Sequence, residues 1–335
     1  VTAYITPAAN RLAALGPQLQ GLESIFGETW GLLDTRAPEF WDLFGQGEGI
    51  LVANIDTGVD YDHPLLLPNF RCQDDPTDPA CFFDPLGQCE NDLPCSLYPH
   101  GTETMGIMVA LDHPDISYTV GMAPGAEWIA CLGCEADRSC PELKLLACGE
   151  WILHPDDNPA NRPHVVNNSW GSMDTNTWYR PTVDAWVAAG IFPVFSAGND
   201  GYYEDCGTIG SPADYFNSFA VGAHQETRAI WGGSSRGPGG LGTYTKPNLS
   251  APGVAIASTV PTTSEDPSTF VSGGLVGTSF AAPHVGGAVA LLWSYYPDLH
   301  GNVGATVTWL QSRADTPPDG YCGAPINSDG NYTYG

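Results

Sequence analysis

Basic residues are scarce in this sequence. Eleven Lys and Arg stand against 38 Asp and Glu, which gives a formal net charge of −27 at pH 7. A nucleic-acid partner is therefore not expected, because binding to a phosphate backbone requires a basic face. The acidic balance fits two explanations, solubility in an acidic or saline habitat and resistance to cleavage at Lys and Arg, and the sequence leaves both open.

Long hydrophobic runs are also missing. No stretch of eighteen uncharged apolar residues occurs, so the sequence predicts no membrane-spanning helix and no membrane partner. No signal peptide headed by Lys or Arg opens the chain, and we expect a mature or trimmed form. Hydrophobic residues nevertheless make up 42% of the 335 positions, which is enough for a large core.

Cysteine, by contrast, is abundant: ten residues fall into clusters. A chain of this length does not need disulfide bonds to build a core, so paired cysteines indicate an oxidising compartment and a secreted protein. Zinc is the alternative for Cys131 and Cys134. The next cysteines follow at spacings of five and seven residues, which match no common zinc finger, and disulfide bonds are therefore favoured.

Apolar runs alternate with helical patterns from Gly49 onward. The runs predict strands, and the segments between them predict helices. Near-continuous apolar strands separated by helices favour a parallel sheet covered on both faces, in an α/β fold with functional residues at the carboxyl ends of the strands. The predicted strands are 50–55, 127–132, 164–170, 191–197 and 218–223, and the predicted helices are 100–111, 142–153 and 182–190. Residues 1–30 are predicted to be an N-terminal extension or a propeptide remnant, and residues 31–335 a single domain.

Three residues in this pattern can carry acyl transfer. Asp56 ends a predicted strand, while His100 and Ser279 each begin a predicted helix. Each has an ordinary structural explanation when taken alone: a turn residue, a loop residue and a helix cap. Together they supply a hydroxyl nucleophile, an imidazole base and a carboxylate that fixes the tautomer of the imidazole.

Two groups near Ser279 can stabilise the oxyanion that forms on attack. The free N–H groups and positive dipole end of a helix N-terminus favour such an anion, and Ser279 lies at that position. Asn199 follows an apolar strand in "FSAGN", from where its side-chain amide can reach the same oxygen, although a turn residue is the alternative reading.

Six sequence blocks resemble those of the subtilase family of serine peptidases. They are "NIDTGVDYDHP", "HGTETMGIM", "NNSWG", "FSAGN", "KPNLSAPG" and "GTSFAAPHV", and they occur in the order of the family. The stretches "VVNNSWG", "AAGIFPVFSAGN" and "APGAEWIA" are similar to the bacillopeptidase F branch. The resemblance covers roughly Trp30 to the C-terminus. It implies a subtilisin-like three-layer α/β/α fold with a mostly parallel sheet, serine endopeptidase activity, and catalytic roles for Asp56, His100, Ser279 and Asn199.

The resemblance also implies how the protein meets its partners. An extended protein or peptide substrate is expected to pair with the edge at Ser169, Trp170 and Gly171 and with the opposing edge at Leu132 and Gly133 and the loop that follows. Gly210 in "GTIGSPADYF" is expected to leave room in the specificity pocket for an aromatic or large apolar side chain. A propeptide is a further possible partner as an inhibitor, and we expect a monomer.

The expected cysteine pairs follow from the resemblance to the subtilase family and from proximity in the chain. Cys134–Cys140 is expected to stiffen the substrate edge, Cys131–Cys148 to join a strand to a helix, and Cys206–Cys322 to join the pocket loop to the C-terminal segment. Cys72–Cys81 and Cys89–Cys95 are expected because neighbouring cysteines close short loops.

Two positions depart from the family pattern. Glu103 stands where a second histidine is usual, and a carboxylate there is expected to raise the pKa of His100 and to move the activity optimum upward. Leu65 stands where many subtilisins have an aspartate that binds Ca²⁺, so that site is expected to be absent and no cofactor to be required. The acidic loop 70–99 can bind structural Ca²⁺ elsewhere, although it lacks a known ligand spacing and is more simply a solvated loop.

Two other functions remain alternatives. A catalytically silent scaffold of the same fold is disfavoured because all four chemical positions hold workable residues. An acid peptidase of the sedolisin type, which uses a glutamate base, is disfavoured by the intact His100-Gly101-Thr102. Two further histidines are expected to be structural, His284 as a packed core group and His63 as a loop hydrogen-bonding residue.

Overall fold

A computed structural model describes residues 27–112, 118–201, 206–239, 244–262 and 271–315, together with 322, 333 and 334. Residues 1–26 lie outside this range, so most of the predicted N-terminal extension stays a prediction. Its last residues pack on the domain: β1 (Gly27–Glu28) pairs with β4 (Tyr118–Thr119), and Trp30 Nε1 donates a hydrogen bond to the carbonyl of Ala255 at 3.3 Å.

A seven-stranded sheet forms the centre of the fold, with strand order β3-β5-β2-β6-β7-β8-β9. Every pairing within it is parallel. The strands are β2 (Leu51–Asp56), β3 (Phe82–Phe83), β5 (Glu127–Leu132), β6 (Val165–Asn168), β7 (Phe192–Ser196), β8 (Phe219–His224) and β9 (Leu249–Pro252). A separate antiparallel pair consists of β10 (Val254–Thr259) and β11 (Val271–Val276).

Seven α-helices accompany the strands in the part of the chain that the structure describes. They are α1 (Trp30–Thr35), α2 (Ala37–Phe44), α3 (His100–Val109), α4 (Glu142–Leu153), α5 (Arg180–Ala188), α6 (Thr278–Tyr295) and α7 (Val303–Arg313). Helix α6 packs on α3 and on β6 to β9, whereas α4 packs on α5. The sheet lies between helical layers, which confirms the predicted three-layer α/β/α fold.

The apolar runs were reliable guides to the strands. Residues 127–132 and 142–153 form a strand and a helix with the predicted bounds, and the other elements shift by one or two residues at most of their ends. Strands β2, β6, β7 and β8 are buried at every position, as expected for a sheet covered on both faces. Their parallel alignment brings the ends of β2, β5, β6 and β7 to one edge of the sheet.

Five disulfide bonds tie the loops to this framework, and they join the five pairs named from the sequence. They are Cys72–Cys81, Cys89–Cys95, Cys131–Cys148, Cys134–Cys140 and Cys206–Cys322. Cys131 and Cys134 are therefore bonded to different cysteines and not arranged as a zinc pair. No helix among the described residues is long and apolar enough to cross a membrane.

Candidate active site

Asp56 and His100 meet at the carboxyl edge of the sheet. His100 Nδ1 lies 2.8 Å from Asp56 Oδ1 and 3.0 Å from Oδ2, and the Asp56 side chain is only 3% exposed. The N–H of Thr57 donates to Asp56 Oδ1 at 2.7 Å, which further fixes the carboxylate. A carboxylate on Nδ1 leaves Nε2 as the nitrogen that can accept a proton.

A glycine allows this approach. Helix α3 begins at His100, and Gly101 lies so close to β2 that a Cβ atom on it would come within 2.0 Å of the Gly58 carbonyl and 3.2 Å of Asp56 Cβ. Any larger residue would push the start of the helix away from the strand. The "His-Gly" pair is therefore a packing requirement of the Asp56–His100 contact.

The charge around His100 favours its protonated form. Burial of the ring opposes protonation, but the negative charge of Asp56, the hydrogen bond to it and the charge of Glu103 outweigh burial, so the pKa of His100 lies above its ordinary value. Arg138 acts in the opposite direction. Burial also raises the pKa of Glu103, which His100 partly offsets. Glu103 thus raises the pKa of His100, as predicted from the sequence.

Ser279 is the second residue of α6, which packs on α3, the helix that begins at His100. The ring of Phe280, the next residue, has its centroid 5.6 Å from the His100 ring. In this structure the Ser279 hydroxyl donates to the backbone carbonyl of Ser169 at 3.2 Å rather than to His100. Hydroxyl contacts of this kind often change when substrate binds, and a rotation about the Cα–Cβ bond redirects the oxygen.

The proline inside α6 explains a further contact at Ser279. Pro283 has no N–H to donate to the carbonyl four residues earlier, which belongs to Ser279. Instead, Ser169 Oγ donates to the Ser279 carbonyl at 2.8 Å. Ser169 Oγ in turn accepts a hydrogen bond from Asn167 Nδ2 at 3.0 Å. Ser169 therefore anchors the first turn of α6 through its side chain, a role that the sequence did not indicate.

Asn199 is held in one orientation by Thr278. The N–H and hydroxyl of Thr278 both donate to Asn199 Oδ1, at 3.0 and 2.9 Å. Because the oxygen is engaged, Nδ2 is the group left to donate to a ligand near Ser279. The sequence predicted that the Asn199 side chain lies near the oxyanion of a bound substrate. It gave no indication that Thr278 orients this side chain.

The residues expected to form the two substrate-binding edges differ in their exposure to solvent. Ser169 and Trp170 follow β6 and are largely buried, whereas Gly171 is exposed. Leu132 and Gly133 are buried too, and the Gly133 N–H already donates to the Asp56 carbonyl at 2.8 Å. The exposed part of this second edge is the loop that follows, at residues 136–139.

Gly210 was expected to leave room in the specificity pocket, but the structure shows that it allows a close backbone contact. A Cβ atom on it would lie 1.7 Å from the Ser172 carbonyl and 3.0 Å from the Met173 carbonyl carbon. The space that a side chain on Gly210 would occupy is therefore filled by backbone, so the glycine is needed for packing. The aromatic or large apolar preference inferred from Gly210 loses its basis at this position.

The remaining predicted residues are structural. His284 is 2% exposed, and its Nδ1 lies 2.7 Å from the Phe280 carbonyl, which confirms a packed core group. His63 Nδ1 accepts a hydrogen bond from the Leu65 N–H at 3.1 Å. Leu65 is a buried apolar residue and offers no ligand at the usual Ca²⁺ site. The described residues include no cluster of three His, Cys, Asp or Glu able to hold a metal ion.

Comparison with known proteins agrees with the geometry. A sequence model of the subtilase family matches residues 47–319. Bacillopeptidase F of Bacillus subtilis (strain 168) is 38% identical over 288 residues, which cover 82% of this chain and 19% of that protein. Subtilisin E of the same strain is 30% identical over 80% of this chain and 61% of its own length. Subtilisin Savinase of Lederbergia lenta is 31% identical over 78% of this chain and 83% of its own length.

The chain thus spans about a fifth of bacillopeptidase F and about three fifths of subtilisin E. The family match includes Asp56, His100, Asn199 and Ser279 and covers the whole seven-stranded sheet. The chain belongs to the subtilase family.

Proposed function

We propose that this protein is a secreted serine endopeptidase that cleaves peptide bonds through an acyl-enzyme. The observation that carries the proposal is the pair of contacts from His100 Nδ1 to the buried carboxylate of Asp56, next to a helix that begins with Thr278 and Ser279. Membership of the subtilase family and five disulfide bonds support it further.

In the proposed first step, His100 Nε2 takes the proton of the Ser279 hydroxyl as the oxygen attacks the carbonyl carbon of the scissile bond. Asp56 keeps the ring in the required tautomer and stabilises the imidazolium that forms. The imidazolium then gives its proton to the leaving amine. A water molecule, deprotonated by the same nitrogen, releases the acid product from Ser279.

The negative charge on the carbonyl oxygen is assigned to two donors, the N–H of Ser279 at the start of α6 and Asn199 Nδ2. Thr278 holds the amide oxygen of Asn199, so its nitrogen is positioned before the substrate arrives. Preorganised donors of this kind are worth about 10²–10³ in kcat each, a range taken from a subtilisin.

Several properties of the protein extend this proposal. The substrates are protein or peptide chains bound in extended form between the segment 169–171 and the loop after Gly133, and a propeptide is the expected inhibitor. No cofactor takes part in the steps above. Residues 1–30 are assigned to an N-terminal extension or propeptide remnant and 31–335 to the catalytic domain, which we take to be monomeric.

Hydrolysis of a peptide library tests the proposal. The wild-type protein is expected to cleave internal peptide bonds, and Ser279→Ala is expected to abolish cleavage. Ser294→Ala is the matched control, because Ser294 lies on the same helix and its hydroxyl only caps the Leu291 carbonyl at 2.8 Å. A wild-type protein that folds but cleaves no peptide at any pH would support a silent scaffold, and activity that persists in Ser279→Ala would move the nucleophile elsewhere.

A further inference from the structure

The loop between β5 and α4 begins at the catalytic edge of the sheet. The N–H groups of Gly133 and Cys134 both donate to the Asp56 carbonyl, at 2.8 and 2.9 Å. The disulfide bond Cys134–Cys140 then closes the loop six residues later. The base of the loop is thus fixed to the residue whose carboxylate contacts His100.

Internal hydrogen bonds give this loop a defined shape. Glu135 N–H donates to the Ser139 carbonyl at 2.8 Å, and Arg138 N–H donates to the Glu135 carbonyl at 2.9 Å. Arg138 adopts the left-handed conformation, with φ of 69°. The side chain of Arg138 therefore leaves the loop from a tight turn whose position is set at both ends.

Arg138 extends towards the catalytic histidine. Its Cζ atom lies 5.6 Å from the centre of the Tyr98 ring, two residues before His100. The Tyr98 carbonyl accepts hydrogen bonds from Thr57 Oγ1 at 2.7 Å and Ser96 Oγ at 2.9 Å, so the aromatic residue is itself held in place. The positive charge is close enough to His100 to oppose its protonation.

No carboxylate of the described residues forms an ion pair with Arg138. The acids in its own loop are engaged with other groups: Glu135 with Lys144 at 3.2 Å and Asp137 with the N–H and hydroxyl of Ser139 at 2.9 and 2.6 Å. Arg138 is exposed, so its guanidinium, which lies over the Tyr98 ring, can still take a carboxylate from a bound chain.

We propose that Arg138 is a specificity-determining residue that favours substrates with a carboxylate within three residues of the scissile bond. The inference rests on the proposed peptidase function. A guanidinium binds a carboxylate through two parallel hydrogen bonds, and the Tyr98 ring offers a surface for the aliphatic part of a glutamate. The arginine offsets locally the repulsion that a chain of charge −27 exerts on acidic substrates.

The expected preference is modest because Arg138 is exposed to solvent. Ion pairs between exposed groups correspond to a change of about two- to five-fold in an equilibrium or rate ratio. Salt screens such pairs, so the preference is expected to shrink as ionic strength rises.

The test compares matched peptides that carry Glu or Gln at each of the three positions on either side of the cleaved bond. The measured quantity is the ratio of kcat/KM for the Glu peptide to that for the Gln peptide. In the wild-type protein this ratio is expected to exceed one at one position. It should fall to one in Arg138→Gln, drop below one in Arg138→Glu and be partly kept in Arg138→Lys. Arg313→Gln is the control, because Arg313 also covers an aromatic ring, Trp309 at 4.5 Å, but lies in α7.

Each outcome decides between explanations. If Arg138 acted only through the charge of His100, its variants would change both peptides equally and shift the pH profile while the ratio stayed constant, and that result would overturn the inference. A ratio of one in the wild-type protein at every position would do the same while leaving the peptidase function intact. Failure to cleave even the Gln peptides would instead overturn the proposed function and the inference with it.

Discussion

Two histidines contact Phe280, the residue after Ser279, and they differ in the partner of Nδ1 and in the direction of their pKa shift. The ring of His100 lies at the carboxyl edge of the sheet, 5.6 Å from the Phe280 ring, with its Nδ1 on the carboxylate of Asp56. The ring of His284 lies inside the core, where Nδ1 is 2.7 Å from the Phe280 carbonyl. The partner of His100 Nδ1 is a charged carboxylate, whereas the partner of His284 Nδ1 is a neutral backbone carbonyl.

This difference sets the two pKa values in opposite directions. The charge of Asp56 outweighs burial at His100, whose pKa is raised. Burial dominates at His284 and lowers its pKa to about 4, although the Phe280 carbonyl and Asp34 partly offset it. A histidine near a nucleophile is thus not a base by position alone, since the partner of Nδ1 decides whether the ring can take up and hold a proton.

The largest expected effect comes from removing each histidine in turn. His100→Ala is expected to lower kcat by about 10⁶-fold, the order of magnitude found when the histidine of a subtilisin is removed. His284→Gln is expected to lower it by less than about ten-fold, because the ring contacts only the core and not the reacting atoms. Steady-state hydrolysis of one peptide by both variants checks the contrast. Comparable losses in two folded variants would break the distinction between edge and core.

A smaller effect is expected in acid stability. The folded-state pKa of His284, about 4, lies below its ordinary value of 6.5, so the unfolded chain binds the proton first as pH falls. Stability is therefore complete above pH 6.5 and is lost between pH 6.5 and about 4, by about 3 kcal/mol from this residue. Urea unfolding of a Ser279→Ala background, which avoids self-digestion, measures the change with and without His284→Gln.

His284→Gln is expected to remove about 3 kcal/mol of this pH dependence. Ser294→Ala, which removes no titratable group, is the matched control and is expected to leave the curve parallel to that of its parent. Identical pH dependence with and without His284 would show that the buried ring does not resist protonation.

The smallest expected effect concerns Glu103. Its negative charge helps to raise the pKa of His100, so Glu103→Gln is expected to lower that pKa and to move the acid limb of kcat/KM to lower pH by less than about one unit. Glu142→Gln, an exposed carboxylate at the start of α4, is the control, and Glu103→Asp should retain most of the wild-type profile. An acid limb that stays fixed or moves upward in Glu103→Gln contradicts the electrostatic role.

The sequence was most informative where apolar runs and chain order decide the structure. Buried strands such as Leu51–Asp56 consist mainly of apolar residues, and a parallel sheet collects the ends of its strands on one edge. Asp56 and Asn199 could therefore be placed in advance. Helices that begin at that edge placed His100 and Ser279 in the same way.

Contacts made between distant loops could not be predicted in this way. Thr278 donates a hydrogen bond to Asn199 Oδ1, and Ser169 Oγ donates one to the Ser279 carbonyl. Both contacts depend on how segments that are distant in the sequence meet in the fold. Gly210 suggested an open pocket, whereas the structure fills the space beside it with the Ser172 carbonyl. A glycine in a sequence shows that a side chain is missing, but only the fold shows what takes its place.

Covalent labelling with a peptidyl phosphonate that reacts with activated serines tests the central claim most directly. Mass spectrometry of the wild-type protein and of His284→Gln is expected to show one adduct, located on Ser279, whereas His100→Ala should react far more slowly. An adduct on a different residue, or no adduct at any pH at which the protein is folded, would contradict the account of Ser279 as a nucleophile activated by His100 and Asp56.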